Sequence, residues 1–197
     1  MNHPEGQPHG TNALDALSAF LKFPETMSVL AHWRALAETA EGHVPDRRSV
    51  DPTRIIGALP YVFIMDRETD SGRLRYRLAG ERINSRYDYG IIGKYLDDIT
   101  PAETIKRVQA YFDLCPTRPA VVLLSGVLYS ERDKPGYGER LLLPLKDGKT
   151  GVKGLIGVTY QASLFPDSFA AMEQGERMLR VAPLHGGELE QSKAPLR

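Results

Sequence analysis

The sequence predicts an α+β fold: a five-stranded antiparallel sheet with short helices on one face, preceded by N-terminal helices. Three observations support this prediction. Apolar residues recur at helical spacing in the first 40 residues, the period changes to two after Tyr61, and short polar turns separate the last three apolar segments. With 197 residues, of which 42% are hydrophobic, the chain is long enough for one domain with a real core.

The first 45 residues are predicted to hold a flexible segment and two helices. Residues 1–24 are expected to be flexible except for a short helix from Ala13 to Lys22, for which Asn12 is a suitable N-cap. A second helix, about Thr26 to Ala40, fills the pre-core region 25–45. Its apolar residues, among them Trp33, share one face.

The first two strands are predicted as a hairpin. Tyr61 to Met65 is apolar at every position, as expected for a strand that is covered on both faces. From Arg73 to Ala79, arginine alternates with larger apolar residues, which is the pattern of a strand with one solvent-exposed face. The turn-forming run Asp70-Ser71-Gly72 between them predicts antiparallel pairing.

A helical stretch is predicted to follow the hairpin. Three glycines between Gly80 and Leu96 indicate several brief helical turns. A longer helix is predicted to begin with Thr100 as N-cap, Pro101 at the first position and Glu103 completing a capping box. Pro116 is expected to close it.

Three further strands are predicted: Ala120 to Ser130, Glu139 to Lys146, and Gly154 to Gln161. Glycine-containing polar turns separate them, so successive strands should pair antiparallel. The core domain is therefore predicted to span residues 46–165. A C-terminal helix is predicted beyond Ser163, through Phe165, Phe169 and Met172, so that residues 166–197 hold this helix and a loose tail from Pro183.

Two strands, short helices, one longer helix and three antiparallel strands follow one another in the order of a PAS domain. Element order alone would also fit profilin-like or GAF-like sheets. Four sequence stretches distinguish a PAS domain beyond the order of the elements: Arg47-Arg48-Ser49-Val50-Asp51-Pro52, Leu59-Pro60-Tyr61-Val62-Phe63-Ile64-Met65-Asp66, Arg75-Tyr76-Arg77-Leu78-Ala79-Gly80 and Leu143-Pro144-Leu145-Lys146-Asp147-Gly148. In order and spacing they resemble the alphaproteobacterial PAS domains of the PAS_5 type, from about Leu30 to Phe165.

The resemblance implies a single-domain sensory or adaptor protein in bacterial signalling. Such a protein would act by binding a small molecule, a protein partner or both, and would pair as a homodimer through an N-terminal helix. Two alternatives stay open: a constitutive interaction scaffold with a filled core, and a small enzyme on a PAS-like sheet. The enzyme is the weaker one, because Ser125 and Ser130 lie in a predicted strand with no histidine near them.

Composition restricts the partners and the compartment. The formal net charge is zero and the pI is near 7, so no strong general attraction to nucleic acid is expected. The single cysteine, Cys115, rules out an internal disulfide, which fits a reducing cytoplasm. A secretory signal and a membrane span are both unexpected from the sequence, so a cytoplasmic location is predicted.

No cofactor or metal is predicted, although an unidentified small-molecule ligand is possible. All five histidines lie outside the segment from Asp46 to Gln161, which disfavours an axial haem ligand and a histidine-based zinc site. Cys115 lies at a helix end rather than in the helix motif of a flavin photosensor, so a small buried residue is the simpler interpretation.

Four residues are candidates for a site. Arg77, Tyr87 and Tyr111 are proposed to line a pocket, although core filling is the simpler role for the tyrosines. Arg77 would pair either with an internal acid, Asp51 or Asp66, or with an anionic ligand, and the internal acid is favoured. Trp33 either packs its helix onto the sheet or contacts a dimer partner. No catalytic residue is predicted.

Overall fold

Seven strands form the sheet at the centre of the computed structural model, which describes residues 12–131, 134–148, 152–162 and 177–194. The strands are β1 (Val62–Arg67), β2 (Leu74–Ala79), β3 (Ala120–Glu131), β4 (Lys134–Lys146), β5 (Val152–Gln161), β6 (Arg177–Pro183) and β7 (Glu190–Ala194). Their order across the sheet is β2-β1-β5-β4-β3-β6-β7, and every neighbouring pair is antiparallel.

Helices cover both faces of this sheet. They are α1 (Ala13–Ser18), α2 (Pro24–Ala37), α3 (Glu81–Asn84), α4 (Leu96–Ile99) and α5 (Ile105–Thr117), with 3-10 segments at Glu41–His43, Arg47–Ser49 and Pro52–Tyr61. On the face that we call the α5 face, Phe112 packs with Phe63 and Met65. On the opposite α2 face, Leu17 and Trp33 pack with residues of β3, β4 and β5.

The predicted number of five strands was wrong, because β6 and β7 extend the sheet beyond β3 where a helix and a loose tail were predicted. Both faces of β6 carry a buried arginine: Arg177 is 9% exposed and Arg180 is 8% exposed. A sequence pattern treats arginine as solvent-facing, so it hides the alternation of this strand. The predicted helix through Phe165, Phe169 and Met172 lies outside the described residues.

Two helix starts were predicted from capping residues, with different outcomes. The N-cap role of Asn12 is confirmed, because its side-chain oxygen accepts a hydrogen bond from the Leu14 N–H at 2.8 Å. The capping box at Thr100 was wrong: α5 begins four residues further on, with Thr104 as N-cap and no side-chain cap. Pro101 instead starts a separate turn, and its carbonyl accepts from the N–H groups of Thr104 and Ile105.

One buried carboxylate on the sheet accepts hydrogen bonds from the N-terminal helices and their connection. Glu139 on β4 is 1% exposed and lies under the connection between α1 and α2. Its carboxylate accepts hydrogen bonds from the Lys22 N–H at 2.8 Å and the Thr26 hydroxyl at 2.7 Å. Because buried donors need acceptors, this side chain helps to fix where the helix pair lies on the sheet, together with the packing of Leu17 and Trp33.

An ion-pair chain joins the sequence stretches that carry the family resemblance. Arg47 donates to Asp66 on β1 at 2.7 Å and to Asp147, after β4, at 3.0 Å. Asp46 accepts from the Gly148 N–H at 2.8 Å, and the Arg48 guanidinium holds the pKa of Asp46 well below its usual range. The stretches are far apart in sequence and meet at one end of the sheet.

Candidate ligand-binding site

A cleft of about 390 Å³ opens where β5 continues beyond its neighbour β1. The first residue of β1, Val62, pairs with Val158, whereas β5 runs on to Gln161, which pairs only with Gly138 of β4. The space beside the last residues of β5 is bordered by α3 and by the end of the Pro52–Tyr61 segment. Its walls include Tyr61, Arg82, Arg86, Thr159, Tyr160 and Gln161.

Gly80 sets the position of α3 on this cleft. Its N–H donates to the Val62 carbonyl at 2.7 Å, and its backbone is the N-cap of α3. A Cβ at this position would collide with the carbonyl oxygens of Leu59 and Pro60, so only glycine lets the chains approach this closely. The buried side chain of Ile83 anchors the helix, which places Arg82 at the cleft.

The cleft carries positive charge. Arg82 and Arg86 are both among the described residues that line it, and no aspartate or glutamate is. The Gln161 side-chain oxygen accepts from both terminal nitrogens of Arg86, one of them at 3.1 Å. These two hydrogen bonds orient the plane of the guanidinium. Burial, followed by the charge of the nearby Glu25, raises the pKa of Tyr160.

More positive charge lies behind the cleft wall on the α5 face. The Arg140 guanidinium donates to the Thr159 hydroxyl at 3.0 Å and to the Tyr111 hydroxyl at 2.7 Å. The pKa of Arg177 is lowered, first by burial and then by repulsion from Arg107 and Arg140. Arg140 thus connects Thr159, in the cleft wall, to Tyr111 on α5.

The predicted pocket residues lie in three different environments. Tyr111 is buried, 7% exposed, and reaches the cleft only through Arg140 and Thr159. Tyr87 is half-buried and packs against the α5-face core. Arg77 is not among the lining residues: it is the extra residue of a bulge in β2, and its guanidinium donates to Asp66 at 3.2 Å. The internal partner favoured for Arg77 is thus confirmed.

Trp33 packs inside its own chain. It is 2% exposed, and its indole N–H donates to the Pro144 carbonyl at 2.9 Å. This is the packing role that the sequence allowed. The alternative, a dimer contact, stays a prediction and would require α2 of one chain to lie on the sheet of a partner.

Sequence reasoning missed most of the cleft. Arg82 and Arg86 are spaced by four residues directly after Gly80, and this helical spacing was a usable signal. Tyr160 gave no such signal, because it lies in a strand whose length relative to β1 decides whether it borders a cleft.

Two of the residues considered for cofactor chemistry, Cys115 and His32, make contacts inside the fold. Cys115 is fully buried, and burial raises the pKa of its thiol, which disfavours a reactive thiolate. His32 accepts a hydrogen bond from the Asp51 N–H at 3.0 Å. Within the described ranges, no three histidine, cysteine, aspartate or glutamate side chains group so as to hold a metal ion. No helix in that part of the chain is long and apolar enough to cross a membrane.

The fold is mixed, with an antiparallel sheet, helices on both of its faces and a cleft beside the end of β5. A family model described as a PAS domain, the PAS_5 type, matches residues 21–160. The chain belongs to this family of PAS domains. No curated protein and no solved structure matches the chain. PAS domains are generally sensory or interaction domains without enzymatic activity.

Proposed function

We propose that this protein is a single-domain PAS sensory or adaptor protein in bacterial signalling, and that it binds a small molecule in the cleft between α3 and the end of β5. The observation that carries the proposal is the cleft itself. Its volume of about 390 Å³ suits a small organic ligand, and polar groups converge on it from α3 and β5.

The position of the cleft matters for this proposal. Beneath α5, Phe63, Met65 and Phe112 fill the core and are at most 2% exposed. A ligand would therefore bind at the margin of the α5 face rather than at its centre. Binding there would bear directly on α3 and on the last residues of β5, so a ligand could change how these elements contact a partner.

A constitutive interaction scaffold is the second candidate, and the same filled core favours it. We also propose that the protein forms a homodimer and contacts a signalling partner. Exposed apolar side chains support a protein contact: Ile56 is 67% exposed and Leu78 on the edge strand β2 is 44% exposed. The cytoplasmic location stays a prediction from the sequence.

Native mass spectrometry of the protein purified from its host tests the ligand and the dimer together. We expect the mass of a dimer carrying a small molecule, and release of that molecule when the protein is denatured. A folded protein whose native mass equals that of the bare chains would contradict ligand binding and favour the scaffold. A monomeric mass with the small molecule still bound would contradict only the dimer.

A further inference from the structure

We propose that His32 is a pH-sensitive contact between α2 and the Pro52–Tyr61 segment: the neutral imidazole holds the start of the segment, and the protonated imidazole releases it. The contact lies outside the cleft, so the inference goes beyond the proposed function and stands whether or not the cleft binds a ligand. Three features support it: the hydrogen bond that the ring accepts, the charged groups around the ring, and the surfaces that the segment carries.

The His32 ring is the acceptor of a backbone hydrogen bond. Its Nε2 accepts from the N–H of Asp51 at 3.0 Å, and both residues are half-buried. Asp51 is the N-cap of the Pro52–Tyr61 segment, so the bond joins α2 to the start of that segment. An imidazole nitrogen accepts only while it carries no proton, and both ring nitrogens are donors in the charged form. The bond therefore exists in one protonation state only.

The acidic side chain beside the ring belongs to the same residue. Thr53 donates to one oxygen of the Asp51 carboxylate from its N–H at 2.9 Å and from its hydroxyl at 2.7 Å, and these bonds are the main cause of the lowered pKa of Asp51. The charges of Arg54 and His32 lower this pKa further. Arg54 lies 4.0 Å from the second oxygen, which is too far for a hydrogen bond. A protonated ring can therefore turn from the Asp51 N–H to this oxygen.

Glu139 and Asp15 bring negative charge to α2 from other elements packed around it, and both are already bonded. From β4, Glu139 accepts a hydrogen bond from the Thr26 hydroxyl at the N-terminal end of the helix. From α1, Asp15 pairs with Arg34. We therefore expect the charges at the start of the segment to decide how the His32 ring turns when it is protonated.

The segment that His32 holds carries both surfaces of the proposed function. Its last residue, Tyr61, lines the cleft, and Ile56, which is 67% exposed, supports a contact with a partner. Ile55 and Ala58 are buried in the α2-face core and keep the middle of the segment in place. Protonation of His32 should therefore loosen the start of the segment without unfolding the domain. A fall in pH would thus change the dynamics of an element that both proposed surfaces share.

An NMR titration of the isotope-labelled full chain from about pH 8 to about pH 5, the range in which histidine ordinarily changes its charge, tests the inference. The resonance of the Asp51 amide proton is followed together with those of the His32 ring. We expect both to move with the same midpoint, and the amide proton to move upfield, because it leaves a hydrogen bond. At the acid end, the Asp51 amide should exchange with water about fivefold faster than in His32→Gln, which is the change for one lost hydrogen bond. The Asp51 carboxyl does not interfere, because its lowered pKa lies below this range.

Three variants identify the cause. His32→Gln has an oxygen that can accept from the Asp51 N–H and no group that titrates, so the Asp51 resonance should stay in place. His185→Gln is the matched control at an exposed histidine and should behave as the parent chain does. Asp51→Asn keeps a residue suited to an N-cap but removes the carboxylate, so the His32 ring should take up its proton at a lower pH than in the parent. A His32 ring that keeps its state throughout the range, an Asp51 resonance that stays still while the ring titrates, or an Asp51 resonance that still moves in His32→Gln would each overturn the inference.

Discussion

Replacing Glu139 by alanine is expected to lower the free energy of unfolding by roughly 3 kcal/mol, because it removes a buried acceptor of two hydrogen bonds and empties its place in the core. The carboxylate accepts from the Lys22 N–H and the Thr26 hydroxyl, and Thr26 is fully buried. The Thr26 hydroxyl keeps the Phe23 carbonyl as an acceptor at 2.9 Å, so the loss falls mainly on the Lys22 N–H and on the contact between the helix pair and β4. The loss should therefore appear first as detachment of α1 and α2.

Urea denaturation, followed by circular dichroism, measures this change. Glu139→Gln keeps the size of the side chain but retains only one acceptor oxygen, so its effect should be smaller than that of alanine. Glu103→Ala is the control at an exposed glutamate and should stay within about 0.5 kcal/mol of the parent. A loss of stability in Glu139→Ala no larger than in Glu103→Ala would show that the carboxylate does not hold the helices.

The same residue predicts a pH dependence. Burial is the largest influence on Glu139 and raises its pKa above the ordinary 4.5, although the hydrogen bonds from Thr26 and Lys22 oppose this. The folded state therefore holds the proton more strongly than the unfolded chain. The stabilisation that Glu139 provides is therefore fully present below pH 4.5, and it is lost as the pH rises through the pKa of the folded state. The stability of Glu139→Gln relative to the parent should accordingly improve as pH rises from 4.5.

Gly157→Ala is the second substitution with a large expected effect. We expect it to lower the free energy of unfolding by about 3 kcal/mol, which is the upper end of the usual range for overpacking a core. Gly157 on β5 pairs with Phe63 on β1, and the Phe63 ring lies directly over it. An added Cβ would collide with that ring, which is 2% exposed and enclosed by Tyr76 and Phe112. A displaced ring would have to move against the neighbouring rings of Tyr76 and Phe112.

Thermal and urea unfolding measure the loss, and a double variant identifies its cause. Phe63→Leu removes the atoms that collide, so Gly157→Ala should cost less in that background than in the parent chain. Gly57→Ala is the control, because a Cβ at Gly57 meets nothing within 4 Å, and it should be neutral or slightly stabilising. An equal cost of Gly157→Ala in both backgrounds would contradict this explanation.

The spacing of apolar residues along the chain was sufficient to predict the strands whose buried side chains are mainly apolar. β1 to β5 and the antiparallel hairpin of β1 and β2 were all predicted, because their apolar residues face a core on one or both sides. β6 was not predicted, because two of its buried residues are arginines, Arg177 and Arg180. Each of them makes contacts that only the fold brings together. Arg180, for example, donates to Ser125 at 2.9 Å and stacks on Phe20.

The site was harder to predict than the fold, because a cleft depends on where one strand ends relative to its neighbour. The sequence identified Asp66 as one of two acids that could pair with Arg77, since the candidates were few. It could not show that β5 continues past the first residue of its neighbour β1, and so it could not place Tyr160 or Gln161 at a cleft. The tyrosines chosen instead were Tyr87, which packs against the α5-face core, and Tyr111, which lies in α5 and is 7% exposed.

Hydrogen–deuterium exchange, read by mass spectrometry, tests most directly whether the cleft is the ligand site of this PAS domain. The protein purified from its host is compared with the same protein after unfolding, dialysis and refolding. We predict that the host-purified form exchanges more slowly in the peptides that cover Gly80 to Arg86 and Thr159 to Ala162. Equal exchange in those peptides, or slower exchange confined to α1 and α2, would contradict the account.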